Sequence, residues 1–225
     1  MSWIYGVSFR SSSMKEGGVS PLPLPGSLVV VTDHNDARGT FIYTKAASII
    51  AKQRNSGSCG VERCIFISLM EDIEHWKAIL TKNSVNCEKA SGDGTLVFVD
   101  LLSSRAEEDS AILSRLFTKL EVELSKPQGT TLVILDDLAH MTWTGEDEGT
   151  LVKFLSSLRS LCRKAGAALI VGYRTLSAGS PDEAAHRYLL STCTLHLACR
   201  PLSSGRSGSV SGELAEALKR GRRKC

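Results

Sequence analysis

The sequence has no apolar run approaching the ~20 residues that a helix needs to cross a bilayer, so it predicts no membrane span. Its N-terminus lacks a basic region followed by a continuous apolar run, and we expect no signal peptide. The seven cysteines are an odd number without a C-x-x-C pair, which favours reduced thiols and an intracellular protein. No cysteine or histidine group has ligand spacing, so we expect no metal.

Composition favours one ordinary globular domain with short additions. The chain has 225 residues, of which 42% are hydrophobic and 23% are charged. The net charge of +3 lies largely in a basic run at residues 219–224, so charge alone does not indicate a nucleic-acid-binding protein. The chain has no G-x-S-x-G elbow and its histidines show no paired spacing, so Ser/His/Asp catalysis is not expected.

From residue 27 onward, strand patterns alternate with helix patterns. This alternation predicts an α/β fold, with a mainly parallel central sheet, helices on both faces and antiparallel strands at the C-terminus. The predicted strands are 28–32, 64–69, 95–99, 131–137, 167–172, 194–198 and 209–214. The predicted helices are 38–53, 73–80, 107–124, 151–164 and 182–190.

The chain is divided into three parts by composition. Residues 1–26 are rich in serine, glycine and proline and are predicted to be a flexible N-terminal arm. Residues 27–214 form the α/β domain. Residues 215–225 form a basic C-terminal tail, with a short helix predicted at 213–218 before the basic run.

The segment after the first strand has the length of a phosphate-binding G-x-x-x-x-G-K-[ST] loop but lacks its chemistry. His34 replaces the first glycine, and only the second glycine, Gly39, is present. Thr40 replaces the lysine that reaches the phosphates, and Phe41 replaces the hydroxyl that binds Mg²⁺. The acids Asp33 and Asp36 would also repel a triphosphate. The loop therefore suggests a structural or regulatory partner of an active protein.

The strand that ends in Asp136 and Asp137 has the form of a Walker B strand, whose aspartate holds Mg²⁺ in working enzymes. Strand-terminal acids also serve in helix capping and hydrogen bonding, and both interpretations of Asp136 stay open.

With the degenerate loop and a terminal hairpin, this layout resembles the RecA-like ATPase superfamily. Residues 64–72 (CIFISLMED) resemble that superfamily's second strand, which ends in an acid that activates water; Met70 stands there, followed by Glu71 and Asp72.

Within that superfamily, the chain is similar to the sixth-subunit family of the Elongator complex. The order of several stretches and the inactive P-loop carry this resemblance, which covers most of residues 27–214. The stretches are 28–33, 64–69 with the following IEHW at 73–76, GTLVFVD at 94–100, 132–138 with its paired acids, and 195–214 with RPLSSG at 200–205.

The resemblance implies a non-catalytic accessory subunit without a cofactor. In that family, the subunit forms a RecA-like hetero-hexameric ring with the fourth and fifth Elongator subunits, two copies of each. The ring binds tRNA and docks on the catalytic Elongator subcomplex, which modifies the wobble uridine at carbon 5. The resemblance places such a protein in the cytoplasm, with a nuclear fraction, and implies no membrane partner.

Several alternatives stay open. The chain could be a divergent RecA-like ATPase, with Asp136 on Mg²⁺ and Glu71 as base, or a RecA-like scaffold of another complex. Phe41 suits either a subunit interface or a place beneath the sheet. The acidic residues 145–149 could contact a basic partner, or they could form a solvated loop and the start of a helix. The basic run at 219–224 could bind RNA phosphates, act as a nuclear localisation signal or form a solvated tail.

Overall fold

The computed structural model describes residues 22–53, 60–100, 112–126, 129–175, 183–202 and 212–218. These residues form seven strands and seven helices. The strands are β1 (Leu28–His34), β2 (Arg63–Ser68), β3 (Leu96–Asp100), β4 (Thr131–Leu135), β5 (Ala168–Thr175), β6 (Leu195–Arg200) and β7 (Glu213–Leu218). The helices are α1 (Thr40–Gln53), α2 (Ile73–Lys82), α3 (Cys87–Gly92), α4 (Ile112–Ser125), α5 (Ala139–Trp143), α6 (Glu148–Lys164) and α7 (Ala184–Thr192).

All seven strands belong to one sheet in the order β3-β2-β4-β5-β1-β6-β7. Every neighbouring pair is parallel except β6 and β7, which are antiparallel. The mainly parallel sheet with C-terminal antiparallel strands is therefore confirmed. Since parallel strands end at the same edge, the segments that follow β1, β2, β4 and β5 are brought together there.

Helices cover both faces of the sheet, as predicted. Along β1, the side chains of Leu28 and Val30 pack with helices α4 to α7, whereas those of Val29 and Val31 pack with helices α1 to α3. This alternation follows from the two-residue period of a strand, and burial on both faces explains why β1 is a continuous apolar run. Among the described residues, no helix is long and apolar enough to cross a membrane.

The C-terminal end differs from the prediction. Residues 213–218 were predicted as a short helix, but they form β7, which pairs with β6 from Leu195↔Leu218 to Arg200↔Glu213. A six-residue helix has few internal hydrogen bonds, whereas the edge of β6 offers a full ladder. The predicted domain boundary at residue 214 therefore falls inside a strand that continues to residue 218.

Smaller differences concern helix limits. Helix α1 starts at Thr40, two residues later than predicted, and the short helices α3 and α5 were not predicted. Before β1, Leu22 is buried in the core, although it belongs to the predicted N-terminal arm. Some predictions lie outside the described residues, namely those for the arm residues 1–21, the start of the 107–124 helix, residues 209–211 of the 209–214 strand and the basic run at 219–224.

Candidate functional site

The carboxyl edge of the central strands gathers four buried charged side chains. Asp33 comes from β1, Asp136 and Asp137 follow β4, and Arg174 lies near the end of β5. Their exposed fractions are only 6%, 4%, 5% and 9%. We call these four residues the acidic cluster. Buried charges are costly unless they are paired, so their contacts determine what this edge can do.

The segment between β1 and α1 folds as a tight turn. His34 and Ala37 exchange backbone hydrogen bonds, with nitrogen-to-oxygen distances of 3.0 Å from Ala37 and 3.4 Å from His34. The Gly39 N–H donates to Asp33 Oδ2 at 2.8 Å. A phosphate-binding loop needs such N–H groups to point at its ligand, but here the N–H groups of Ala37 and Gly39 already bond to the protein.

The four degenerate loop positions have different environments. His34 ends β1 and is half-buried, Gly39 is buried, and Thr40 is the first residue of α1. Phe41 is 38% exposed, so the alternative in which it lies beneath the sheet is wrong. A Cβ on Gly39 would lie 2.7 Å from Val31 Cγ1, so packing against β1 also requires glycine there.

Arg174 is the cation of the cluster. Its Nε lies 3.5 Å from Asp33 Oδ1, and its Nη2 lies 3.4 Å from Asp137 Oδ2. A third guanidinium nitrogen, Nη1, lies 2.9 Å from the sulfur of Met70. The backbone N–H groups of Arg174 and Ala139 both donate to Asp137 Oδ1 at 3.2 Å. The guanidinium thus joins the ends of β1, β2 and β5 and the segment after β4.

Asp136 uses both carboxylate oxygens within the protein. Its Oδ1 accepts hydrogen bonds from the N–H groups of Leu69 and Asp137, each at 2.7 Å. Its Oδ2 accepts from the Ser68 hydroxyl at 3.0 Å, and that hydroxyl accepts from Trp76 Nε1 at 2.9 Å. These contacts favour the hydrogen-bonding interpretation of Asp136, since they attach the end of β2 to the segment after β4.

The acids after β2 serve local structure. The Asp72 side chain caps α2 by accepting a hydrogen bond from the His75 N–H at 2.6 Å. The Glu71 side chain is about one-third exposed and lies 3.9 Å from Arg38 Nη1. Farther along the chain, Asp147 in the acidic stretch caps α6 through the Thr150 N–H at 2.8 Å, which confirms the helix-start interpretation of that stretch.

The cluster holds three carboxylates and one guanidinium, all of them buried, and burial changes how the carboxylates bind protons. Burial raises the pKa of Asp137 to about 7, although Arg174 opposes the change. Burial also raises the pKa of Asp136, against the hydrogen bonds that it accepts. The buried Tyr43 hydroxyl has its pKa raised by burial and by the nearby carboxylates.

Replacing Asp137 with asparagine should remove a pH dependence of stability. An aspartate has an ordinary pKa of 3.8, so between pH 4 and 7 folded Asp137 binds more protons than in the unfolded chain. The free energy of unfolding of the natural chain should therefore fall as the pH rises toward 7. Between pH 5 and 8, the variant should gain on the order of 2 kcal/mol relative to the natural chain.

Urea unfolding at several pH values measures this difference. Asp36→Asn is the matched control, because the Asp36 side chain is 72% exposed in the adjacent turn. Its stability should follow that of the natural chain throughout. Parallel pH profiles for Asp137→Asn and the natural chain would contradict the prediction.

Sequence reasoning identified the acids after β4 but missed Arg174 as part of the site. The signal that could have found it is its place directly after a buried apolar run, in a strand parallel to the one that precedes the acids. The strand order was not available from the sequence. It places β5 between β1 and β4, which lets one arginine reach acids from both neighbours.

Comparison with known proteins supports the fold class. No protein-family model matches the sequence, and no curated protein matches it. Among solved structures, the chain is similar to a KaiC-like protein from the hyperthermophilic archaeon Pyrococcus horikoshii OT3, with 15% identity and a TM-score of 0.57. The match covers 88% of this chain and 81% of that protein. The RecA-like fold predicted from the sequence is therefore confirmed.

Proposed function

We propose that the chain is a non-catalytic accessory subunit of the Elongator complex. The observation that carries the proposal is the turn between β1 and α1, which lacks the P-loop lysine and hydroxyl and bonds its Gly39 N–H to Asp33. A RecA-like fold without phosphate-binding groups retains its surfaces for assembly. The stretches that resemble the sixth-subunit family run through the same domain.

The proposed assembly is a hetero-hexameric ring with the fourth and fifth Elongator subunits. Phe41 supports this proposal because it is 38% exposed at the start of α1, beside the degenerate loop. An exposed aromatic residue is costly in a monomer and common at the centre of an interface. We propose that Phe41 packs against a neighbouring ring subunit at this edge.

The ring would bind tRNA and support modification of the wobble uridine at carbon 5 by the catalytic Elongator subcomplex. The sequence offers no aromatic platform on which bases stack, so contacts with tRNA phosphates through loops of several subunits fit it better. We propose a cytoplasmic protein with a nuclear fraction.

Co-expression with the fourth and fifth Elongator subunits tests the proposal. Native mass spectrometry should give a complex with two copies of each of the three chains. Phe41→Glu should reduce its yield about tenfold or more, since a charge would replace an aromatic side chain at an interface. Val122→Glu is the matched control, because Val122 is 56% exposed on α4 and should tolerate the charge.

The outcomes separate the alternatives. A folded chain that does not assemble would point to a RecA-like scaffold of another complex. ATP turnover by the pure isolated chain would contradict a non-catalytic subunit and favour a divergent ATPase. Equal loss of assembly in Phe41→Glu and Val122→Glu would mean that Phe41 has no special role at the interface. The assignment as an Elongator subunit would then depend only on whether the natural chain assembles.

A further inference from the structure

The outer side of helix α6 carries cations and, after its first residue, no acid. Lys153, Arg163 and Lys164 are exposed on this helix, and Arg159 is half-buried. We call these four residues the α6 face. Without the basic run at 219–224, the chain has more acids than cations. The α6 face is therefore a local excess of positive charge in a chain that is otherwise acidic.

The acids at the start of α6 are engaged in other contacts. Asp147 caps the helix through the Thr150 N–H, and Glu148 Oε2 accepts the Ala184 N–H at 2.8 Å. Among the described residues, none of the four cations forms an ion pair, and only Lys153 lies near an acid, which is Asp147. Most of the positive charge of the α6 face is therefore not compensated within the described part of the chain, and it would attract an anionic partner.

Helices α4 and α7 extend the basic surface on both sides. Helix α6 packs between them on one face of the sheet. Arg115 and Lys119 are exposed on α4, and Arg187 is exposed on α7. Of the two acids on α4, Glu123 is bound by an arginine and a lysine, whereas Glu121 is exposed. A polyanion that crosses α6 would therefore meet further cations on both neighbouring helices.

We propose that the α6 face binds the phosphate backbone of RNA. Arginine, lysine and serine side chains are typical ligands of backbone phosphates, and exposed serines lie between the cations at positions 156, 157 and 160. No residue of α6 is among the exposed large apolar residues of the described chain, so the face lacks the apolar centre of a protein interface. The choice of tRNA as the RNA rests on the proposed function, in which loops of several ring subunits contact the same molecule.

Binding of a fluorescently labelled tRNA transcript to the full chain tests the proposal. Anisotropy gives the dissociation constant at several sodium chloride concentrations, because each phosphate contact adds to the salt dependence. The double variant Arg163→Gln, Lys164→Gln should bind about tenfold or more weakly at low salt, and its slope of log affinity against log salt should be smaller by about two. Lys153→Gln should lower the slope by about one. Unchanged slopes in both variants would overturn the proposal.

The double variant Lys82→Gln, Lys89→Gln is the matched control. It removes the same charge from exposed positions on α2 and α3, which cover the opposite face of the sheet. Its slope should equal that of the natural chain, since salt screens charges that do not contact the RNA. An equal loss of affinity in the two double variants would mean that binding follows net charge alone, against the proposal. If polyglutamate displaces tRNA from the natural chain as well as unlabelled tRNA does, the face fits an acidic protein and the proposal is wrong.

Native mass spectrometry separates this proposal from the proposed function. The double variant at Arg163 and Lys164 should assemble with the fourth and fifth Elongator subunits as the natural chain does. Loss of assembly would make the α6 face a subunit contact and overturn its assignment to RNA. If the natural chain does not assemble but the double variant still loses affinity for tRNA, the ring is wrong and the RNA site stands. A natural chain that binds no tRNA, alone or in the assembled complex, would overturn the RNA site and leave the ring standing.

Discussion

Replacing Gly172 with alanine should lower the free energy of unfolding by more than about 3 kcal/mol, the upper range for overpacked sites. An added Cβ would lie 1.8 Å from the backbone oxygen of Asp136 and 2.1 Å from the Tyr43 hydroxyl. The first of these contacts is with backbone that cannot turn away by a rotamer change. The Gly172 carbonyl also accepts the Leu138 N–H at 2.9 Å, so a shift of β5 would strain this bond as well.

Thermal unfolding measures this effect, and the midpoint should fall by roughly 10 °C for a chain of this size. Gly92→Ala is the matched control. Gly92 ends α3, and a Cβ there meets nothing within 4 Å, so its midpoint should stay unchanged or rise slightly. If the two variants unfold at the same temperature, the close approach of β5 to Asp136 does not require glycine at position 172.

Replacing Arg174 with methionine should cost about 3–5 kcal/mol, because it leaves buried carboxylates without their cation. Methionine retains most of the side-chain volume, so the loss reports the charge and not a cavity. The effect should be larger at pH 8 than at pH 5.5. At lower pH, protonation of Asp137 makes the missing cation less costly, since the pKa of this residue is already raised to about 7.

Urea unfolding at the two pH values tests the role of Arg174. Arg38→Met is the matched control, because the Arg38 side chain is 48% exposed at the same edge, 3.9 Å from Glu71. Its cost should stay below about 1 kcal/mol at both pH values, as for other surface ion pairs. A loss in Arg174→Met that is equally small, or that is the same at both pH values, would mean that the carboxylates do not need the guanidinium.

The sequence predicted the parts of the fold in which local pattern decides structure. Strands β1, β2, β4 and β5 are apolar runs buried on both faces, so their composition identifies them without knowledge of their neighbours. Strand β7 was predicted only at its first two residues, because 215–218 consist of residues that favour helix and become a strand only through pairing with β6. Helices α3 and α5 have only six and five residues, too few for a periodic pattern.

The sequence identified several residues of the site but not the contacts between them. The changed loop residues and the acids after β4 are visible in the sequence because they occupy known motif positions. The pairing of Arg174 with Asp33 joins residues far apart in the chain, and it depends on the order of strands in the sheet. The capture of the Gly39 N–H by Asp33 depends on the path of a turn, which composition does not determine.

The central position of β1 has a consequence for synthesis of the protein. Strand β1 leaves the ribosome first, but its sheet partners are β5, from Leu28↔Leu169, and β6, from Val29↔Leu195. At about 5–20 residues per second, translation needs on the order of ten seconds or more to produce the first of these partners. During that interval the valines at positions 29, 30 and 31 remain an unpaired apolar strand, a natural target for a chaperone at the ribosome exit.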